Sequence, residues 1–538
     1  MTGYALVACW VALAQSSVEL EAPRRPVPQY GIYELTVRCS GVAGNPFTDV
    51  DIEAEFKRPG AAAVRVQGFC DDPQGRLYRV RFCPDRANTR YEYRVVVRGA
   101  VSGTFSGQFR TSGAVAMRPV IVHPDHPKHF AYAGTKRPFY HMGWTAYHLL
   151  DPTNELPQIE ALLDYCTKYG FNKIRFLLTG YPRDHDVRPH GSPAPLRGDP
   201  WRLPNYGAAP GEVNALPAWM GQPHQYDFTR FNVAYWRKVD RVVYAMQRRG
   251  IVATCILTIE KQGLPQEYGA LTDAEKLLYR YAVARLAAYS NVWWDLGNEH
   301  NEYRDRRWAR TMGKLVKAWD PYDRLVSAHA YDEWLYDNEP WADWIITQHY
   351  GDWQALNRRV LRYAEIPKPY VNEEYGYEGN RAKPGHLQNV ELVRRSHWAI
   401  ALAGGYATYG DWTRGAPFYA GHIGAGQAPA QLKWLRETLE KLPYVEMTPA
   451  NKLIEGAGLC LAKQTEVYLV YLPEGGSVVL RTGVLETAAR WAVTWLDPRT
   501  GREKARSASG ERLVLRAPDA RDWVVIVRRH GLRRTADR

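Results

Sequence analysis

Two short apolar runs in this chain each break into carboxylates. The first, Trp293-Trp294-Asp295-Leu296-Gly297-Asn298-Glu299-His300, leaves an apolar stretch through an Asn-Glu pair. The second, Lys368-Pro369-Tyr370-Val371-Asn372-Glu373-Glu374-Tyr375-Gly376-Tyr377-Glu378, ends in a cluster of acids. Two carboxyl groups facing one another are the basic equipment for breaking a glycosidic bond. One, held protonated by partly apolar, aromatic surroundings, gives a proton to the departing oxygen; the other attacks the sugar or activates water. A gap of about 5 to 5.5 Å makes the second group a nucleophile and retains configuration, whereas about 6.5 to 9.5 Å admits water and inverts it. The chain contains no P-loop, dinucleotide fingerprint, H-E-x-x-H or G-x-S-x-G elbow, so no organic cofactor is expected. His123-Pro124-Asp125-His126-Pro127-Lys128-His129 has no standard zinc spacing and reads as a linker into a hairpin, so no metal is expected either.

Carboxylates at strand ends need a scaffold that gathers strand ends at one face. Between residues 116 and 445, apolar strands alternate with amphipathic helices, the pattern of a parallel sheet covered by helices. Eight strands are expected at 140–144, 173–178, 252–258, 292–296, 325–328, 344–348, 369–372 and 406–409. In the helix over 274–289, Leu278, Tyr281, Ala282, Leu286 and Tyr289 share one face, opposite Glu275 and Arg280. Eight such repeats predict an α/β fold, a TIM (β/α)8 barrel whose active site lies at the carboxyl ends of its strands. The long Pro-, Gly- and His-rich segment 181–225, after the second strand, is expected to enclose substrate. Short alternating strands separated by turn residues predict a β-sandwich over 18–115 and another over 446–538, flanking the barrel.

The chain of 538 residues is long enough for several domains, and its nineteen Trp and thirty-five Tyr suit sugar-stacking platforms as well as β-rich cores. The formal charge of +13 is dispersed among nearly as many acids, apart from a short basic tail with Arg528, Arg529, Arg533 and Arg534. Without a basic, aromatic-interleaved motif a nucleic-acid partner is not expected, and no segment is long and apolar enough to predict a membrane span. The apolar start closing on Ala12-Leu13-Ala14 reads as a secretory signal over residues 1–17, weakened by the lack of a basic n-region, so a secreted or periplasmic protein is expected. Of seven cysteines, Cys70 and Cys83 are spaced so that they could pair, while Cys166, Cys255 and Cys460 sit in apolar patterns.

Gly-Asn-Glu after the fourth strand, with Lys-Pro-x-x-x-x-Glu-Tyr-Gly after the seventh, resembles the superfamily of retaining (β/α)8 glycoside hydrolases. The leading β-sandwich, the barrel opening Phe139-Tyr140-His141-Met142-Gly143-Trp144-Thr145-Ala146 and the trailing β-domain further resemble glycoside hydrolases that carry DUF5060 and DUF4038 domains. The resemblance spans nearly the whole chain. It implies a carbohydrate substrate, with Glu299 as acid/base, Asn298 as the residue that meets the sugar 2-hydroxyl, and Glu374 as nucleophile, with Glu373 as its rival. Arg175 matches the strand-two arginine that hydrogen-bonds the nucleophile. His349 and Tyr350 end strand six, where relatives carry a His or Tyr beside the nucleophile, and Trp412 resembles the aromatic floor of the sugar subsite. His300 stands where many relatives have Pro. His141, Trp144 and His148, from strand one, are expected to line the mouth. The expected activity is a retaining β-glycosidase; the alternatives are a barrel that binds carbohydrate without cleaving it, or an inverting or transglycosylating enzyme. Oligomeric state, exo- or endo-action and the sugar itself stay open at this level.

Overall fold

The structure, a computed structural model, describes residues 18–151, 154–179, 218–221, 226–258, 271–331, 334, 336–379, 387–413, 424–483 and 489–530. The expected secretory segment, most of the 181–225 excursion and the arginines beyond 530 lie outside the described residues.

At the centre is an eight-stranded parallel sheet curled into a nearly closed barrel, with helices on its outside. In chain order the strands are Gly143–Thr145, Lys173–Leu177, Val252–Ile256, Val292–Asp295, Val326–Ser327, Ile345–Gln348, Tyr370–Glu374 and Tyr406–Tyr409. The ladder runs from the fifth strand back through the fourth, third, second and first, then through the eighth and seventh to the sixth. Fifth and sixth strands meet without a regular ladder. Asp343 N–H donates to Val326 O at 2.8 Å and Ser327 Oγ to Trp344 O at 2.6 Å, which brings the sheet round on itself. The first strand begins three residues later than expected, and Pro138–Phe139 just before it pairs with Phe130–Tyr132 in a small antiparallel sheet. The histidine-rich segment is the turn of that sheet, where His123 Nδ1 accepts from the backbone N–H of Asp125 and His126.

Helix formation follows local chemistry. Thr272 caps Asp273–Leu286 in a capping box with Glu275, and Leu278, Tyr281, Ala282 and Leu286 are buried on its inner face. Glu275, expected on the polar face, is also fully buried, because Arg304 and the Trp308 indole donate to it. A capping carboxylate at the start of a helix can thus serve a second element.

The amino-terminal part forms a four-stranded antiparallel sheet and a five-stranded sheet that enclose a separate aromatic core including Tyr33, Phe56, Phe82, Tyr91 and Phe109. A salt-bridge network ties it to the barrel. Arg81 holds Asp240 of the helix Val233–Arg248 through two bonds of 2.7 and 3.0 Å, and Arg285 bridges Asp240 and Asp71. The carboxyl-terminal part forms a six-stranded and a three-stranded antiparallel sheet. There Asp522 accepts both arms of Arg394 from the helix Val390–Leu402, at 2.7 and 2.8 Å. All six described cysteines are free thiols, so Cys70 and Cys83 are not bridged: Cys70 Sγ donates to Asp72 O, and Cys83 sits against Arg324. Among the described residues, no helix is long and apolar enough to cross a membrane.

Candidate active site

The barrel interior is unusually polar, and its charges are layered. Alternation along the fourth strand turns Trp293 toward Phe130, His141 and Trp344, sends Trp294 outward to donate to Asp320 at 2.8 Å, and turns Asp295 back inward. On the second strand Lys173 and Arg175, two residues apart, both point inward and are fully buried. Lys173 Nζ lies 2.6 Å from both oxygens of Glu373, whose carboxylate also accepts from Thr408 Oγ1 at 2.5 Å. Burial alone would raise the Glu373 pKa, but the charges of Lys173 and Arg175 outweigh it and hold it at about 2. His141 is enclosed in this lower layer beside Lys173 and Glu373, away from the mouth; burial lowers its pKa to about 3, so the ring is neutral.

Arg175 occupies the next layer. Its guanidinium donates to Asp295 at 3.2 Å, to Glu374 Oε1 at 3.2 Å, to Asn298 Oδ1 at 2.5 Å, to Tyr147 Oη at 2.6 Å and to His329 Nδ1. Tyr147 Oη also bonds Glu374 Oε1 and lies 2.8 Å from Asn298 Oδ1. Burial and the Glu374 charge, against the pull of Arg175, keep the Tyr147 hydroxyl firmly protonated. Burial raises the Asp295 pKa to about 6, with Arg175 opposing the rise. Tyr350 approaches the other oxygen of Glu374, Oε2, at 3.5 Å.

Glu373 and Glu374 are consecutive, yet both turn into the barrel. A bulge explains this: Thr347 pairs with Asn372, but Gln348 pairs with Glu374, so one extra residue sits in the seventh strand. Bulges re-aim side chains beside active sites. Here one carboxylate goes to the lysine layer and the other to the arginine layer.

Glu299 follows the fourth strand in a left-handed backbone conformation, φ 47°, which a non-glycine residue adopts only when its surroundings hold it. The turn is held from the fifth strand: His329 N–H donates to Gly297 O at 3.2 Å and His300 N–H to His329 O at 2.9 Å. His300, in the position where relatives carry Pro, is buried and bonds Tyr336 Oη at 2.7 Å through Nε2. Side-chain packing thus fixes what a proline ring would otherwise restrict. The charge of Glu299 acts on both Tyr147 and Tyr350, the two hydroxyls that meet Glu374.

Of the remaining expected residues, Trp412 is nearly buried in a small aromatic cluster with Tyr147, Leu177, Ile256 and Tyr377, its backbone N–H bonded to Glu378 O at 2.7 Å. His349 is half-buried next to Tyr350, its backbone pinned by both ends of the Asn372 amide. Trp144 does not line the mouth. Alternation turns it outward, edge-on to Tyr165, Phe171 and Tyr409 in the layer between barrel and helices. His148 is buried and paired with Asp151 at 2.9 Å. Tyr147, Asp295, His329 and Tyr377 were not among the residues expected from the sequence. His329 and Asp295 carry the signal used for Glu299, a polar residue at the carboxyl end of a barrel strand, and Tyr147 adjoins the residues singled out after strand one.

A family model described as Apiosidase-like, catalytic domain, matches residues 126–415, and one described as a domain of unknown function, DUF5060, matches residues 26–98. Among solved structures, a candidate glycoside hydrolase from Bacteroides vulgatus ATCC 8482 shares the fold with a TM-score of 0.75 and 21% identity, over 94% of this chain and 100% of its own. A glycoside hydrolase family 5 protein from the same organism gives a TM-score of 0.57 at 16% identity, over 78% of this chain and 95% of its own. No curated protein matches the chain.

Proposed function

Because the chain belongs to the family of Apiosidase-like catalytic domains and carries a glycoside hydrolase fold, we propose that it hydrolyses O-glycosidic bonds by double displacement, with Glu374 as nucleophile and Glu299 as acid/base. One observation carries the reading: Arg175 and Tyr147 converge on one oxygen of Glu374 and Tyr350 approaches the other, at the strand-end face where Glu299 follows the fourth strand. In the first step Glu374 attacks the anomeric carbon while Glu299 gives its proton to the leaving oxygen. In the second, Glu299 takes a proton from water, which displaces Glu374 and restores both carboxyl groups. Arg175 supports this by aiming Glu374 through its bond to Oε1. It also engages Asn298 Oδ1, leaving the Asn298 amide nitrogen as the donor for a sugar hydroxyl. Trp412 and Tyr377 supply an apolar surface for the sugar face.

The Lys173 and Thr408 contacts favour a structural rather than a nucleophilic duty for Glu373. The family name points to apiosyl residues as the first substrates to assay. A β-linked substrate and export from the cell belong to the same proposal. Release of apiose and of reducing sugar from aryl glycosides and plant polysaccharides is the test, with Glu299→Gln and Glu374→Gln as controls. Loss of general acid catalysis lowers turnover by about 10²- to 10⁴-fold. Wild-type turnover in both variants, or an inverted anomer by NMR, would reject the mechanism.

A further inference from the structure

The arginine that holds Glu374 also reaches a residue with no part in bond cleavage. Arg175 has only donors and stays charged, so His329 Nδ1 must accept from it. The His329 ring is therefore neutral, with its one proton on Nε2. That ring is fully buried, and burial followed by the Arg175 charge opposes protonation. Among the described residues, His329 Nε2 and Gln348 Oε1 are enclosed atoms that lack a hydrogen-bond partner, one a donor and one an acceptor. Gln348 is also the neighbouring side chain that favours a proton on the ring. The other end of the Gln348 amide, Nε2, donates to Tyr350 Oη at 3.1 Å. With its oxygen receiving that bond, the Tyr350 hydroxyl directs its own proton to Glu374 Oε2 at 3.5 Å.

We propose that His329 and Gln348 are positioning residues that close a circuit of hydrogen bonds around Glu374, from Arg175 through His329, Gln348 and Tyr350 back to the same carboxylate. This rests on the reading of Glu374 as nucleophile. Every donor in the circuit points in one sense, so the tautomer of His329 decides which way the Gln348 amide faces, and that amide decides where the Tyr350 proton goes. Arg175 holds Oε1 directly while the circuit brings a donor to Oε2, and a carboxylate fixed at both oxygens keeps one attack angle. Tyr350 was expected beside the nucleophile from the resemblance alone; what aims it comes from strands five and six together.

The test uses the full chain in two arms. In the first, ¹⁵N-histidine NMR, with the His329→Asn variant to assign the signal, is expected to show His329 as the neutral Nε2–H tautomer from pH 6 to 8. An Nδ1–H tautomer or an imidazolium overturns the circuit, whether or not any glycoside is cleaved. In the second arm, kcat and KM are measured on an aryl glycoside for His329→Leu, Gln348→Leu, the double variant, His329→Asn and Glu374→Gln. His329→Leu and Gln348→Leu should each lower kcat tenfold or more with KM within threefold, and the double variant should be little worse than the more severe single one. His329→Asn, which keeps an acceptor for Arg175, should recover part of the loss. Unchanged kcat in both single variants, or fully multiplicative losses, overturns the proposal. Wild-type turnover in Glu374→Gln overturns the catalytic reading instead, and the NMR arm then judges the circuit alone.

Discussion

A single peptide bond separates Glu373 from Glu374, yet their carboxylates sit in different layers of the barrel and answer to different cations. Glu373→Gln leaves Lys173 buried without a counter-charge, which destabilises by about 3 to 5 kcal/mol. Thermal melting should show this loss, whereas Glu374→Gln should melt close to the wild type while losing turnover. The pH dependence has a definite sign. The Glu373 pKa falls from an ordinary 4.5 to about 2 on folding, so its ion pair contributes fully above about pH 4.5 and loses that contribution as the pH falls toward 2. The wild-type melting temperature should drop across that window, and the Glu373→Gln variant should show a shallower drop. Tyr147 offers the complementary case. Tyr147→Phe removes a hydrogen bond to the Glu374 anion worth about 1.5 to 3 kcal/mol. Because that bond strengthens as Glu374 regains its charge in the second step, kcat should fall by about 10- to 100-fold with the fold intact, as circular dichroism and steady-state kinetics would show.

At the scale of the element, the bulge in the seventh strand explains how a strand of period two delivers consecutive acids to one interior. The end of the eighth strand is shaped by a missing side chain: a Cβ at Gly410 would come within 2.0 Å of the Tyr377 ring. Gly410→Ala must therefore push Tyr377, and with it the cluster holding Trp412, out of place. Overpacking of this kind costs about 1 to 3 kcal/mol. We expect a lower melting temperature and a raised KM, measured on the same aryl glycosides. The edge strand Glu503–Ser509 went unread in the sequence because its residues are nearly all exposed and carry no apolar alternation.

Across the whole molecule, the amino-terminal sheets and the barrel share buried charges, which argues against a loosely tethered module. Asp71, Arg81, Asp240 and Arg285 are all at most 8% exposed, so separating the two parts would leave several of them unpaired. Arg81→Met should lower the stability of the full chain by about 3 kcal/mol in denaturant titration. A chain beginning at residue 116 should be markedly less stable, or insoluble, compared with the full protein. A truncated chain that melts like the full one would show the network to be dispensable.

The eight strands and both flanking sets of sheets were legible in the sequence because each has a local cause: apolar runs of the right length, a helical period between them, and turn residues at the joints. The two acids at strand ends were legible for the same reason, since a strand that breaks into Asn-Glu marks the face where barrel strands finish. Tertiary structure decided what depends on partners from distant strands. Trp144 looked like part of the mouth and faces the helices, because alternation places it opposite the inward-facing His141, and Tyr165, Phe171 and Tyr409 enclose it there. Glu373 and Glu374 are chemically identical in the sequence; Lys173, Arg175 and a one-residue bulge make them different. An electrostatic environment is a sum over neighbours, and those neighbours are assembled only when the barrel closes.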